Sequence, residues 1–480
     1  MLKRKNLNRR NFAASLAAFG AAPFLLRSKL YAAQKESTRD AVEKMLHPLL
    51  DTDDSALFHL AVDAYHQCVL GKIRPVEPPF RYQWLAPGGG YQGQWLWDTT
   101  FVTDLLAILP GQRDILRGVY QNYWDFCDRW NAAQPDYAHG MVANFIGPDS
   151  APEPFSGKKW KTYPGFSQAP LLAWGLERVF RRNDDLELVG TALPYLEAFH
   201  NWYWRERDVA GVGLAGVGSY TGVIQDARYE TYDHEVDLDT LQLTAHPTRH
   251  GKSEGNWYGD ILIPANTAYL LLSEQSLSRL AAAAGDRPMA ERRLARYKKG
   301  VEAMREHMWD EDAGCFLAVR RDSLEKIHHP TVGSFMPLMA GAATAEQAAR
   351  AAEALATEGW ATPLPIPTVS RTDKSFASAS FWRGDVWPAP VYQVATGLAQ
   401  YGHRELAGKL AAANIDNAIR VGISEHYDSL SGTPLGVTGL GMSAVVLTMA
   451  LDGLSPAHKI AIREDSPQLR SEASRNKVEK

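Results

Sequence analysis

The sequence predicts an all-α protein whose helices close into an (α/α)6 barrel. Helical stretches come in pairs, joined within a pair by short turns: Pro110-Gly111, Asn183-Asp184, Gly285-Asp286 and Tyr401-Gly402-His403. Pair is joined to pair by long segments rich in Pro, Gly and aromatic residues, such as 131–163 and 208–260. Loops of that length inside a compact domain are usually functional. Six hairpins with every long loop at one end would enclose a single cup. An open α-solenoid is the competing arrangement, but the chain has no repeat of fixed period and solenoid loops are usually short.

Taken in order, residues 36–50 and 55–70 read as helices, the second with Leu57, Leu60, Ala61, Ala64 and Tyr65 at helical spacing. A Pro-rich aromatic loop occupies 74–94. The pairs that follow are 95–109 with 112–130, 167–180 with 186–205, 261–284 with 287–309, 332–341 with 344–357, and 386–401 with 403–421. Residues 437–451 close the domain. No set of period-2 strands is found, although 314–319 fits part of a hairpin. The barrel is expected over 36–455, with a polar, frayed tail over 456–480.

The first ten residues carry five positive charges and no acid, and a short apolar run over 11–26 follows. Asn8-Arg9-Arg10-Asn11-Phe12 resembles a twin-arginine export signal, with a small-residue cleavage site near Tyr31-Ala32-Ala33. The apolar run is too short for a comfortable membrane span. Residues 1–33 are therefore expected to be a signal peptide, and the protein periplasmic or secreted. These residues hold seven Lys/Arg and no acid, so their removal takes the net charge from −4 to −11. Such a chain has no nucleic-acid footprint. Cys68, Cys127 and Cys315 are far apart and odd in number, which gives no disulfide framework. His246, His250 and His328-His329-Pro330 lack acidic or Cys partners at ligand spacing, so no metal is expected. Ser219 and Ser253 lack a nucleophile elbow, and no Gly-rich phosphate loop follows a strand.

The stretch 378–392 reads Ser-Ala-Ser-Phe-Trp-Arg-Gly-Asp-Val-Trp-Pro-Ala-Pro-Val-Tyr. It sets Trp382 and Trp387 around Arg383 and Asp385, with Gly384 allowing a turn or a close approach. A core helix has no use for that pattern. A sugar pocket does, because sugar rings lie flat on indoles and charged forks hold hydroxyls. Cleaving a glycosidic bond also needs two carboxyl groups, one to protonate the leaving oxygen and one to activate water or attack. Asp226 lies among aromatic residues two positions before Arg228, with Glu230 and Asp233 as rivals. Burial raises such a carboxyl and the arginine opposes the rise. Glu425 follows a helix end and is flanked by His426 and Tyr427. Its rival Asp428 begins Asp-x-x-Ser-Gly and fits a turn cap better.

Four segments, in order, resemble glycoside hydrolase family 63 and its mannosylglycerate-hydrolase-like relatives, which share an (α/α)6 clan with trehalases. They are Trp95-Leu-Trp-Asp-Thr-Thr-Phe101, Ser167-Gln-Ala-Pro-Leu-Leu-Ala-Trp174, Phe381-Trp-Arg-Gly-Asp-Val-Trp-Pro388 and Ser424-Glu-His-Tyr-Asp-Ser-Leu-Ser-Gly432. The resemblance implies an inverting hydrolase of α-glycosidic bonds that needs no cofactor, with Asp226 as general acid and Glu425 as general base. It makes Asp98, Gln168, Trp382 and Arg383 sugar-holding residues. Trp97, Arg228, Asp385, Trp387, His426 and Tyr427 join them as candidate substrate contacts. Two departures stand out: Asp226-Ala-Arg228 lacks the family's Ser-Pro, and Asp385 replaces a proline beside the pocket. Asp385 is accordingly where substrate specificity is expected to differ. Two other readings remain open on the sequence. A polysaccharide lyase or sugar epimerase on the same barrel would use His426, Tyr427 and Arg383. A non-catalytic sugar-binding protein would have lost its acid.

Overall fold

The computed structural model describes residues 38–463, apart from Gln92, 134–135, 137–138, 148–166, Val209, 217–246, 249–250 and 253–260. Asp226, Arg228, Glu230 and Asp233 lie outside the described residues, as do residues 1–33 and the end of the tail.

Helix α1 (Arg39–Leu46) precedes the barrel. The barrel helices are α2 (Ser55–Asp63), α3 (Leu96–Leu106), α4 (Arg113–Ala133), α5 (Leu172–Asn183), α6 (Leu186–Arg207), α7 (Pro264–Ala283), α8 (Arg287–His307), α9 (Met336–Met339), α10 (Ala345–Leu355), α11 (Pro388–Gln400), α12 (Arg404–Val421) and α13 (Val445–Leu451). Short turns of π and 3-10 helix extend α2 through Lys72 and lead into α9 and α13. The odd-numbered helices from α3 form the inner ring. Each packs on the next, and the turn that opens α13 packs back on α3, so the ring closes.

Burial separates the two layers. All eleven residues of α3 are buried, and fifteen of the twenty in α7. The outer helix α8 buries only six of twenty-one. An inner helix enclosed on every side must satisfy its polar groups internally. The hydroxyls of Thr99, Thr100 and Thr103 accordingly donate to the carbonyls of Trp95, Trp97 and Thr99, at 2.6, 2.6 and 2.8 Å. Inner helices also approach closely at two glycines. A Cβ on Gly175 would lie 2.7 Å from Cβ of Thr100, and one on Gly397 would lie 2.6 Å from Cβ of Leu338.

The four predicted short turns join α3 to α4, α5 to α6, α7 to α8 and α11 to α12. Residues with left-handed backbone stop the inner helices, among them Asp184 (φ 52°), Gly285 (φ 83°) and Gly402 (φ 89°). Side-chain caps start the outer ones: Asp185 accepts from Leu188 N, Asp286 from Met289 N, and Thr344 forms a capping box with Gln347. All long loops therefore lie at the N-terminal ends of the inner helices.

Strands are few and short. β1 (Leu50–Asp51) pairs antiparallel with β4 (Ala461–Ile462), and the hairpin of β2 (Ser424–Tyr427) with β3 (Pro434–Thr438) lies among the long loops. Two expectations are corrected here. The first helix ends at Leu46 rather than running to 50, and the body extends past 455, because main-chain pairing stitches its two ends together. The hairpin expected near 314–319 is present, Cys315–Phe316 pairing with Trp309–Asp310.

Candidate active site

The cup is built where inner helices begin. Trp95 is extended (φ −91°, ψ 137°) and α3 starts at the next residue. The first N–H groups of a helix lack partners within it. Leu96 N donates to Asn144 O at 2.9 Å, and Trp97 N donates to Oε1 of Gln168 at 3.1 Å. Gln168 thus caps α3 from the neighbouring hairpin, and its Nε2 has no partner among the described residues. This cap fixes Asp98 in the first turn, 7 % exposed. Burial first, then the charge of Glu425, pushes the Asp98 carboxyl up to about 8, against the pull of its backbone hydrogen bond and of Lys72. Trp97 is buried with its ring edge-on to Phe101, centroids 5.7 Å apart.

Glu425 enters from β2, 3 % exposed. Its two oxygens are separately held: Tyr91 Oη donates to Oε1 at 2.8 Å, and Val437 N donates to Oε2 at 2.9 Å. Gly436, next to Val437, has φ 68°, and a Cβ there would lie 2.5 Å from Oε2.

The tryptophan-rich loop is stitched to β2 beside Glu425. Val386 and Tyr427 exchange both backbone hydrogen bonds, at 2.8 and 2.9 Å. Trp382 and Trp387 stack at 3.9 Å between centroids, and Trp387 also stacks on His426 at 4.9 Å. Asp385 is fully buried and accepts from Ser380 N at 3.2 Å and Phe381 N at 2.8 Å. His426 Nδ1 lies 2.8 Å from its Oδ2. Ala379 and Phe381 on this loop take left-handed φ values of 55° and 57°, a strained conformation that the Asp385 contacts hold in place.

These contacts show what several of the candidate residues hold within the protein. Asp385 braces the loop through two amides and lies against His426. Tyr427 is buried, donates its hydroxyl to Gly422 O at 2.9 Å and accepts from Ser424 N at 2.9 Å, so it clamps β2. Trp387 is committed to Trp382 and His426. Asp428 caps its turn as expected, accepting from Leu430 N at 2.9 Å and Ser431 Oγ at 2.9 Å. Arg383 is half-buried within the same loop. His329 lies against Asp373, Nδ1 to Oδ2 3.1 Å. Among the described residues no group of three or more His, Cys, Asp or Glu side chains could hold a metal ion. The sequence reading missed Tyr91 and Lys72. The aromatic 74–94 loop that contains Tyr91 was its only signal, and Lys72, just before it, had none.

Comparisons with known proteins bear on this arrangement. A model of the mannosylglycerate hydrolase MGH1-like glycoside hydrolase domain matches residues 91–443. The chain is 24 % identical over 391 residues to mannosylglycerate hydrolase MGH1 of Selaginella moellendorffii, covering 72 % of this chain and 78 % of that one. It is 24 % identical over 407 residues to the mannosylglycerate hydrolase of Thermus thermophilus, covering 75 % of this chain and 94 % of that one. A solved GH63 mannosylglycerate hydrolase from Thermus thermophilus, in complex with Tris and D-glycerate, superposes with TM-score 0.61 at 23 % identity, over 82 % of this chain and 99 % of that one. Neutral trehalase Nth1 from Saccharomyces cerevisiae shares the fold at TM-score 0.53 and 15 % identity, over 84 % of this chain and 78 % of that one. The closed (α/α)6 ring, with carboxyls buried in its loop-built cup, is that of a glycoside hydrolase, an enzyme acting on carbohydrate. Within that class, the chain belongs to the mannosylglycerate hydrolase MGH1-like family.

Proposed function

We propose that the protein is an exported, inverting α-glycosidase in which Glu425 is the general base and Asp226 the general acid. The observation that carries the reading is the hold on Glu425: one oxygen on Tyr91, the other on the Val437 amide, beside the buried Asp98. A carboxylate fixed in this way can take a proton from one water in one direction. The water attacks the anomeric carbon as the glycosidic bond breaks, Glu425 takes its proton, and Asp226 gives its own proton to the leaving oxygen. The sugar product then carries the opposite anomeric configuration. Asp98, Gln168, Trp97, Trp382 and Arg383 hold the sugar, and Arg228 is a further candidate sugar contact. Asp385, Trp387, His426 and Tyr427 hold the loop and strand that frame them. The named activity of the relatives makes mannosylglycerate the first α-glycoside to test.

Proton NMR of fresh reactions against a panel of α-glycosides tests the mechanism. Inversion gives the β-anomer first; an α-anomer appearing first would overturn it. Glu425→Gln and Asp226→Asn are expected to bind sugar without turnover. Turnover by Asp226→Asn would move the acid to Glu230 or Asp233. The Tyr427 hydroxyl, the candidate base of a lyase or epimerase, is taken up by backbone groups. Absorbance of an unsaturated product would reveal a lyase. Export is tested by fractionation: Arg9→Lys with Arg10→Lys should leave the protein in the cytoplasm.

A further inference from the structure

His426 is held on three sides and open at one corner. Trp387 stacks on a face of its ring, centroids 4.9 Å apart and planes 16° from parallel. Phe381 stands edge-on to it, at 5.3 Å and 87°. Oδ2 of the fully buried Asp385 lies 2.8 Å from Nδ1. The residue is 6 % exposed, and Nδ1 is shut off from solvent. Nε2 is different. It has no hydrogen-bond or ion-pair partner among the described residues, and it is the ring nitrogen that solvent reaches. Bracing Asp385 uses Nδ1 alone, so the ring's other polar atom is fixed in place and unused within the protein. A polar atom locked by packing and turned to open space is what a binding site requires.

The open corner lies beside Glu425. Successive residues of a strand ordinarily point to opposite faces. The pairing of β2 with β3 is interrupted here: Ser424 faces Thr438 and His426 faces Leu435, so Gly436 and Val437 together oppose Glu425. This is a bulge in β3, with its glycine in the left-handed conformation at φ 68°. A Cβ on Gly436 would lie 2.5 Å from Oε2 of Glu425 and 2.9 Å from Cδ2 of His426. The carboxylate and the edge of the imidazole therefore crowd one point, and only a residue without a side chain leaves room for both. Nε2 is bonded to Cδ2, which places it one atom further along that edge. Gly436 itself is exposed, so this point stands at the open side of the hairpin.

We propose that His426 contacts the substrate as well as bracing the frame: Nε2 takes a hydroxyl of the sugar held against Glu425, and Asp385 is the positioning residue that fixes the ring for it. The ligand class is a polyhydroxylated ring. An imidazole nitrogen can donate to a hydroxyl or accept from one, so either form of the ring serves. The inference deepens the function proposed above. It rests on the cup being the sugar site and is independent of which carboxyl is the acid.

Two near-isosteres separate bracing from binding. Asparagine puts its amide where Nδ1 lies, and glutamine puts its amide where Nε2 lies. His426→Asn should keep the contact with Asp385 and a Tm close to wild type. Its KM on the substrate found in the glycoside panel should rise about three- to tenfold, the loss of one hydrogen bond. His426→Gln should lower Tm and keep KM within about twofold. An Asn protein that keeps its KM, or equal KM changes in the two proteins, would overturn the proposal and leave His426 a brace. Nitrogen-15 NMR of histidine-labelled wild-type protein gives a readout without turnover. Adding the α-glycosides of the panel should move the Nε2 resonance of His426, assigned by its absence from the Asn protein, and leave Nδ1 nearly still. No movement with any of them, or movement of Nδ1 alone, would also overturn it. If Nε2 moves while no glycoside is cleaved, the contact stands and the hydrolase reading falls. If a glycoside is cleaved while Nε2 stays still, the hydrolase reading stands and the contact falls.

Discussion

Tyr91 Oη donates to Oε1 of Glu425 at 2.8 Å across 334 positions of sequence. The bond joins the loop before α3 to β2, so a residue at one end of the barrel sequence aims a carboxylate at the other end. A hydrogen bond to a charged group contributes about 1.5–3 kcal/mol. Tyr91→Phe leaves Val437 N as the only remaining anchor on the Glu425 carboxylate among the described residues. We expect kcat to fall about ten- to hundredfold with little change in KM. Steady-state kinetics on the substrate found in the glycoside panel checks this, and an unchanged kcat would remove Tyr91 from the orienting set.

Asp98 makes folding stability depend on pH in a defined direction. Its carboxyl is raised from 3.8 to about 8 in the folded protein by burial and the charge of Glu425. The folded protein thus keeps a proton that the unfolded chain releases. This contribution to stability is complete below the unfolded value near 3.8 and is lost as pH rises through 8. Asp98→Asn removes the titration. Urea denaturation at pH 5 and pH 9 should show the wild type losing more stability between the two than the Asn protein, by roughly 2 kcal/mol or more. Equal losses in both proteins would place the proton elsewhere.

Asp385 should matter through the loop it braces. Its carboxylate takes two amides and lies on His426, while Ala379 and Phe381 are held in left-handed conformations. Asp385→Ala leaves the amides of Ser380 and Phe381 without their acceptor, at about 1–3 kcal/mol for each buried group left unpaired. The expected result is a lowered Tm and a raised KM, since Trp382 and Arg383 lie on the same loop. Asp385→Asn keeps one acceptor oxygen and should lie between wild type and Ala. A Tm and KM unchanged in the Ala protein would show that the loop holds its shape without the carboxylate.

Much of this architecture was legible because its signals are local. Pro110-Gly111, Asp184 and Gly285 stop helices where they stand, and Asp185, Asp286 and Thr344 start them. The motif residues Asp98, Gln168 and Glu425 are found in the one cup because motif order follows hairpin order around the ring. What was not legible are contacts that cross between segments. Nothing near Tyr427 shows that its hydroxyl is used by Gly422 and Ser424, because a bulged strand creates that geometry. Nor does the sequence show that Asp385 meets two amides and His426 where the loop crosses β2. Lys72 gave no signal because its burial comes from a glycine loop folding back over it.

The far end of the barrel offers a prediction that separates stability from catalysis. Arg178 on α5 bonds Asp104 of α3 at 2.7 Å and Asp452, which ends α13, at 3.0 Å. Tyr392 of α11 donates to Asp452 at 2.8 Å, so four of the six inner helices meet in this network. Asp104 is buried, and Arg182 reaches it only at 3.4 Å. Breaking a buried pair from one side costs about 3–5 kcal/mol, because the remaining charge loses its partner. Arg178→Met should therefore lower the denaturation midpoint clearly. Asp104 lies six residues from Asp98 on the same helix, which is about 9 Å along its axis. The cup should keep its geometry at that distance, and kcat measured well below the transition should stay within about twofold of wild type. Adding Asp104→Asn to Arg178→Met removes the orphaned charge and should recover part of the lost stability, a coupling that a double-mutant cycle measures. If the single variant loses turnover in proportion to stability, the base and the cup act as one unit, and the ring transmits strain from Arg178 to Asp98.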